Sequence, residues 1–186
     1  ISPLAFEFYE GYFTSDTRIS FNKKIPFTDI QATLKNINIE KFLESQKSKA
    51  LGKLSGSFHA TLNLAFAGSK DHEIKSSLKG NGNVTIEKGY FKLFNLTESL
   101  SGVPVIQRIV PGFELSDAFD HFQTNIIVKD QEILTPAMVL LGKRHLLKCS
   151  GKLGFDESLD YQGNYYLARQ EDPRKVIPFT VEGTLS

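Results

Sequence analysis

Phe58, Ala60, Leu62, Leu64 and Phe66 alternate with Ser57, His59, Thr61, Asn63 and Ala65. This pattern constrains the chain more than any other. Successive side chains of an extended strand point to opposite faces, so a strand over Ser57 to Phe66 puts every large apolar group on one side. At ~3.3 Å per residue it is about 30 Å long. A helix would scatter the same residues around its circumference. The chain must therefore supply either a core or a ligand for one long apolar face.

The segments on either side carry the same signature. In Leu78 to Glu87 the residues Leu78, Val84 and Ile86 share a parity with Gly80 and Gly82. Lys88-Gly89 reads as a tight turn, with Tyr90 to Phe94 returning as a strand. Asn95 and Glu98 then form a capping-box variant, opening a helix that carries Leu96 and Leu100. Gly102-Val103-Pro104 ends that helix and starts another, with Ile106, Ile109 and Val110 as its apolar stripe. Nearer the start, Leu4 to Phe8, Gly11 to Phe21 and Phe27 to Ile37 read as strands, and Asn38 caps a short helix running to Ser48. From Phe122 onward there are five strands: Phe122 to Val128, Ile133 to Leu141, His145 to Phe155, Leu159 to Leu167 and Val176 to Leu185. Short turns separate them, which implies antiparallel meanders. Gly11 and Gly52 open loosely similar stretches 41 residues apart, so the first hundred residues admit two loose β-units.

The 186 residues fit one domain, spanning 1–186, that buries an ordinary core without staples. With 22 basic and 21 acidic residues the formal charge is +1, so no long-range field gathers nucleic acid. The single Cys149 forms no intrachain disulfide and suits a half-buried strand position. Gly80-Asn81-Gly82 lacks the third glycine of a dinucleotide loop, because Thr85 stands there. His59, His72, His121 and His145 are scattered and read as surface or cap residues, with Asp71-His72-Glu73 in a polar turn. No serine-hydrolase, zinc-protease or paired-carboxylate motif is present, so the expectation is a non-enzymatic protein without metal or cofactor.

The order of these pieces resembles the C-terminal region of the AsmA family, the AsmA- and TamB-like periplasmic β-groove proteins of Gram-negative envelopes. The resemblance rests on four stretches: GKLSGSFHATLNLAFAG from Gly52, LKGNGNVTIEKGYFKLFNLTESL from Leu78, FDHFQTNIIVKDQEI from Phe119 and VIPFTVEGTLS from Val176. Asp130-Gln131 stands where the family usually has Asn-Gly or Asp-Gly, which leaves that turn type open. The resemblance implies a mainly β fold, a strongly twisted, curved antiparallel sheet forming a groove, with a few short helices. It implies a periplasmic fragment of a protein anchored to the inner membrane by a segment outside these residues. Its function would be to hold or conduct phospholipid acyl chains for outer-membrane biogenesis. Candidate groove-lining residues are Phe58, Leu62, Leu64, Phe66, Val84, Ile86, Leu147, Phe155, Phe179 and Val181, and Lys143 and Arg144 are candidate head-group contacts. The alternative is a docking module whose open sheet edges pair with an envelope protein by β-augmentation. Alternation alone leaves open whether the apolar face is a closed core or a trough.

Overall fold

The structure, a computed structural model, describes residues 4–21, 25–92, 118–169, 171, 173 and 176–184. Its elements are β1 (Leu4–Phe8), β2 (Gly11–Ser20), β3 (Phe27–Asn38), α1 (Ile39–Ser45), β4 (Ser57–Ala67), α2 (Asp71–Ser77), β5 (Lys79–Tyr90), β6 (Ala118–Lys129), β7 (Glu132–Leu141), β8 (Leu146–Gly154), β9 (Ser158–Tyr166) and β10 (Val176–Thr184). The strands pair antiparallel in sequence order from β1 to β10, giving one open sheet of ten strands. The fold is thus mainly β, with two short helices among the described residues.

Local chemistry sets the reversals. Tyr9 and Glu10 (φ 45° and 67°) join β1 to β2, and Asp130 and Gln131 (φ 52° and 61°) join β6 to β7. Two successive residues at positive φ make the turn whose twist matches that of the flanking strands. The hairpin at Asp130-Gln131 therefore forms without the glycine usual at such a turn. Two bulges then correct the alternation. In β3, Leu34 pairs with Ala60 but Ile37 pairs with Phe58, and Asn36 takes φ 56° between them. In β7, Thr135 pairs with Gly151 and Met138 with Cys149, and Pro136, which has no amide to donate, occupies the extra space.

Because of these shifts, one apolar row crosses eight strands: Ile37, Phe58, Ile86, Phe122, Leu140, Leu147, Tyr165 and Ile177 are successive partners. Helix α1 lies on this row. Its Ile39 and Leu43 join Ile86 and Phe119 in a buried cluster, with Leu54, Phe58, Phe91, Phe122 and Leu140 packed around it. Leu147, Tyr165 and Leu167 form a second cluster on the same row. The core is thin, since no large side chain among the described residues falls below 2 % exposure.

Three local expectations are corrected. Lys88-Gly89 is not a turn: β5 runs through it, with Gly89 opposite Phe119 and Tyr90 opposite Ala118, and Phe91 bridges to Leu54. Lys88 (φ 51°) kinks the strand instead of reversing it, and a Cβ at Gly89 would sit 2.2 Å from the Ser55 carbonyl oxygen. Asp71-His72-Glu73 is not a turn but the first turn of α2, where the Glu73 carboxylate accepts the Ser69 and Lys70 amides at 3.0 and 3.2 Å. A helix this polar carries no apolar stripe by which the sequence would reveal it. His145 is not at the surface; it is 4 % exposed, and its ring stacks on Tyr165 with centroids 5.4 Å apart. The helices read from Asn95 and Pro104 lie outside the described residues.

Candidate functional site

The residues singled out from the sequence share one face of the sheet. Phe58, Leu62, Leu64 and Phe66 project from β4, and Phe58 and Ala60 stand opposite Ile86 and Val84 of β5. Leu147 continues the row that holds Ile86, and Phe179 follows Cys149 and Gly163 in the next row. Val181 pairs with Tyr161 on the same side. Phe155 lies just past β8, where its amide donates to the Gln131 carbonyl at 2.9 Å, so it sits at the far rim and not in the strand.

This face has two zones. Beneath α1 it is a core, with Ile86 8 % exposed, and Leu147, 7 % exposed, is buried in the second cluster with Tyr165 and Leu167. Away from α1 the lining changes character: Leu62, Leu64, Phe66, Val84, Phe179 and Val181 are all half-buried and belong to neither buried cluster except at the margin, where Phe179 touches the second. The face extends to β1 and β2 through Phe6 opposite Phe13 and Phe13 opposite Leu34.

Glycines floor this outer zone. Gly82 faces Leu62 and Gly80 faces Leu64 across the β4–β5 pair, leaving low ground between these leucines and Ile126 and Val128 of β6. An open depression of about 410 Å³ lies along β3 to β6, and both parities line it: Ile30, Leu64, Gly80 and Val128 of the apolar rows and Asp29, Gln31, Asn63, Lys79 and Asn81 of the polar ones. A second, of about 860 Å³, lies across β7 to β10, again lined from both parities, by Met138, Cys149, Gly163 and Phe179 and by Lys148, Ser150, Gln162, Asn164 and Thr180. The opposite face is mixed: Leu141, Leu146, Tyr166 and Val176 form an apolar row at one end, and the rest carries polar pairs. Asn83 donates to Asn125 at 3.0 Å, and Lys152 pairs with Glu132 at 2.8 Å.

Ile30, Ile126, Val128 and Met138 also line the face but were not singled out from the sequence. In β7 the bulge at Pro136 moves the inward parity from Ile133 and Thr135 to Met138 and Leu140, so no single alternation runs through that strand. Lys143 and Arg144 are exposed in the β7–β8 turn, which the Gly142 amide closes on the His145 carbonyl at 2.9 Å. They flank the Leu140–Leu147 row, two rows from Leu62, and so stand beside the covered zone.

Two titratable groups on this face are shifted by burial. Burial pushes the Cys149 thiol up to about 11, and its Sγ lies 3.3 Å from Met138 Sδ, so thiolate is scarce at neutral pH. Burial also raises the Tyr161 phenol. Among the described residues no group of three His, Cys, Asp or Glu side chains could hold a metal, and no helix is long and apolar enough to cross a membrane. No family model, curated protein or solved structure matches the chain.

Proposed function

We propose that the uncovered part of the apolar face is a trough for lipid acyl chains, and that the protein is a non-enzymatic lipid-handling module. One observation carries this reading. Leu62, Leu64 and Phe66 form a continuous apolar strip that is only half-buried and floored by Gly80 and Gly82. Apolar strips of that length are usually either sealed in a core or used as contact surfaces. An extended acyl chain needs a long, weakly directional apolar surface and no catalytic group, which is what this zone offers.

The AsmA resemblance supports the same reading and extends it. By that resemblance the lipid is a phospholipid, the setting is the periplasm, and a segment outside these residues anchors the full-length protein to the inner membrane. Lys143 and Arg144 would meet head groups only where acyl chains run toward the β7–β8 end.

The test is direct. Purified protein is extracted with organic solvent and the extract identified by mass spectrometry; stoichiometric phospholipid is the expected result. A clean extract, together with no uptake of fluorescent phospholipid from vesicles, would sink the reading and favour the docking module, for which the exposed side chains of β1 speak.

A further inference from the structure

Ile19, Phe21 and Ile25 fall within seven residues where β2 ends and β3 begins. All three are open to solvent, at 45 %, 75 % and 51 %, and Phe21 is the most exposed large apolar side chain among the described residues. Single exposed apolar residues are ordinary, but three so close in sequence make a patch. Its charge is one-sided. From Ile19 to Thr28 the sequence carries Lys23 and Lys24 and no Asp or Glu. Arg18, also exposed, precedes the patch and stands opposite Asp29. The Gly68 amide donates to the Pro26 carbonyl at 2.9 Å, which brings the exposed Lys70 to the same end of the sheet. The carboxylates that follow are engaged: Asp71 pairs with Lys75 at 2.9 Å, and Glu73 accepts the Ser69 and Lys70 amides.

We propose that this patch docks the protein on the surface of a bilayer containing anionic lipid, with Phe21, Ile25 and Ile19 entering the interface and Arg18 and Lys70 at the level of the head groups. The inference does not rest on the trough reading. Apolar side chains flanked by cations suit such a surface, the first through burial below the head groups and the second through its negative potential. A second copy of this chain fits the patch poorly, because two such patches brought together would set like charges side by side. The net charge of +1 gives no long-range pull, so the attraction acts within a Debye length, about 8 Å at physiological salt.

The register gives the patch its place in the sheet. Ile19 pairs with Thr28 and Thr28 with Phe66, so the strip of Leu62, Leu64 and Phe66 runs toward the row that holds Ile19, and Phe21 lies two residues beyond. At the other end of β4, Phe58 packs against the cluster that α1 covers. A protein docked through Phe21 therefore turns the uncovered end of the strip to the bilayer and holds the core end away from it.

Flotation of the purified chain with vesicles of phosphatidylcholine, with and without phosphatidylglycerol, tests this. Binding is expected to the anionic vesicles and should weaken with added salt. Phe21→Ser and Ile25→Ser should each lower it about tenfold or more, the scale of withdrawing one large apolar side chain from burial. Arg18→Gln should lower it about fivefold. Leu51→Ser, which removes a similarly exposed apolar side chain from the segment after α1, should leave it unchanged. Circular dichroism establishes that each variant is folded. As a second route, Phe21→Cys combined with Cys149→Ser carries an environment-sensitive fluorophore at residue 21 alone, and its emission should shift to the blue on anionic vesicles. A chain that ignores anionic vesicles or binds neutral ones equally, binding indifferent to both folded apolar variants, a fluorophore that stays in water, or a Phe21-dependent dimer in place of docking would each overturn the inference. Phospholipid in the solvent extract of a chain that does not dock would leave the trough standing and remove the docking patch alone.

Discussion

Gly82 lies directly opposite Leu62, and a methyl group placed on it would come within 2.6 Å of both Leu62 Cδ2 and the Thr61 carbonyl oxygen. Gly80 repeats the arrangement, 2.1 Å from the Asn63 carbonyl oxygen. Leu62 can rotate away, but the backbone oxygens cannot. Close approach of β4 and β5 thus requires hydrogen at these positions. Gly82→Ala should cost about 1–3 kcal/mol in urea denaturation, the usual scale of overpacking. Adding Leu62→Ala should not restore the loss, because the Thr61 oxygen remains. A neutral Gly82→Ala would mean that the two strands are not so tightly apposed.

Leu62 separates the two readings of the apolar face. In a closed core, Leu62→Glu would strand a carboxylate without a partner, a change large enough to threaten a domain whose total stability is about 5–15 kcal/mol. In an open trough, water reaches the carboxylate once lipid leaves. The half-buried state of Leu62 predicts a folded Leu62→Glu protein with a lowered melting temperature and little bound lipid. Thr61→Glu adds the same charge on the exposed side and should keep both. Outright unfolding of Leu62→Glu, or unchanged lipid content, would defeat the trough.

Period-two patterns carried most of the fold. β4, β8, β9 and β10 alternate cleanly, and each lies within a residue or two of where its pattern placed it. What alternation could not show was where it breaks. Asn36 and Pro136 each add a residue that flips the inward parity, so Ile37 and Met138 joined the face only through the register. Nor could it separate core from trough, because Ile86 and Leu62 look alike in sequence. Among the described residues the difference comes from α1, whose Ile39 and Leu43 pack on Ile86 and not on Leu62. Lys88-Gly89 misled for a related reason: positive φ at Lys88 bends a strand as readily as it reverses one.

Asn38 joins three elements. Its side-chain oxygen accepts the Lys41 amide at 3.2 Å to cap α1, and its Nδ2 donates to Glu10 at 2.8 Å. Since α1 seals the core end of the sheet, Asn38→Ala should cost about 1 kcal/mol and loosen that cover. Glu10 also pairs with Lys41, and hydrogen bonds from Lys41 and then Asn38 hold its carboxyl below the ordinary value of 4.5. A folded pKa below the unfolded one means that the contribution is present above about 4.5 and lost as pH falls through the folded value. Glu10→Gln should flatten the acid side of the stability–pH curve, and an unchanged acid limb would show that Glu10 is not coupled to the fold.

Cys149 reports on both the packing and the occupancy of the apolar row that crosses β7 to β10. A thiol near 11 is about one-thousandth ionised at pH 8, whereas a free cysteine near 8.5 is about one-quarter ionised. Alkylation of the folded protein should therefore run roughly 200-fold slower than that of a small thiol, rising about tenfold per pH unit up to 11. The raised folded value also means that stability drains as pH rises past the unfolded thiol's pKa, because the unfolded chain releases its proton first. Phospholipid adds a further demand. Met138, Gly163 and Phe179 share the row of Cys149, so an acyl chain lying along that row would cover the sulfur. Titrating lipid-free protein with phospholipid vesicles should slow alkylation further, while alkylation of a model thiol in the same vesicles stays constant. Fast labelling without lipid would contradict the half-buried placement of Cys149; slow labelling that ignores lipid would instead confine any acyl chain to the strip along Leu62 and Leu64.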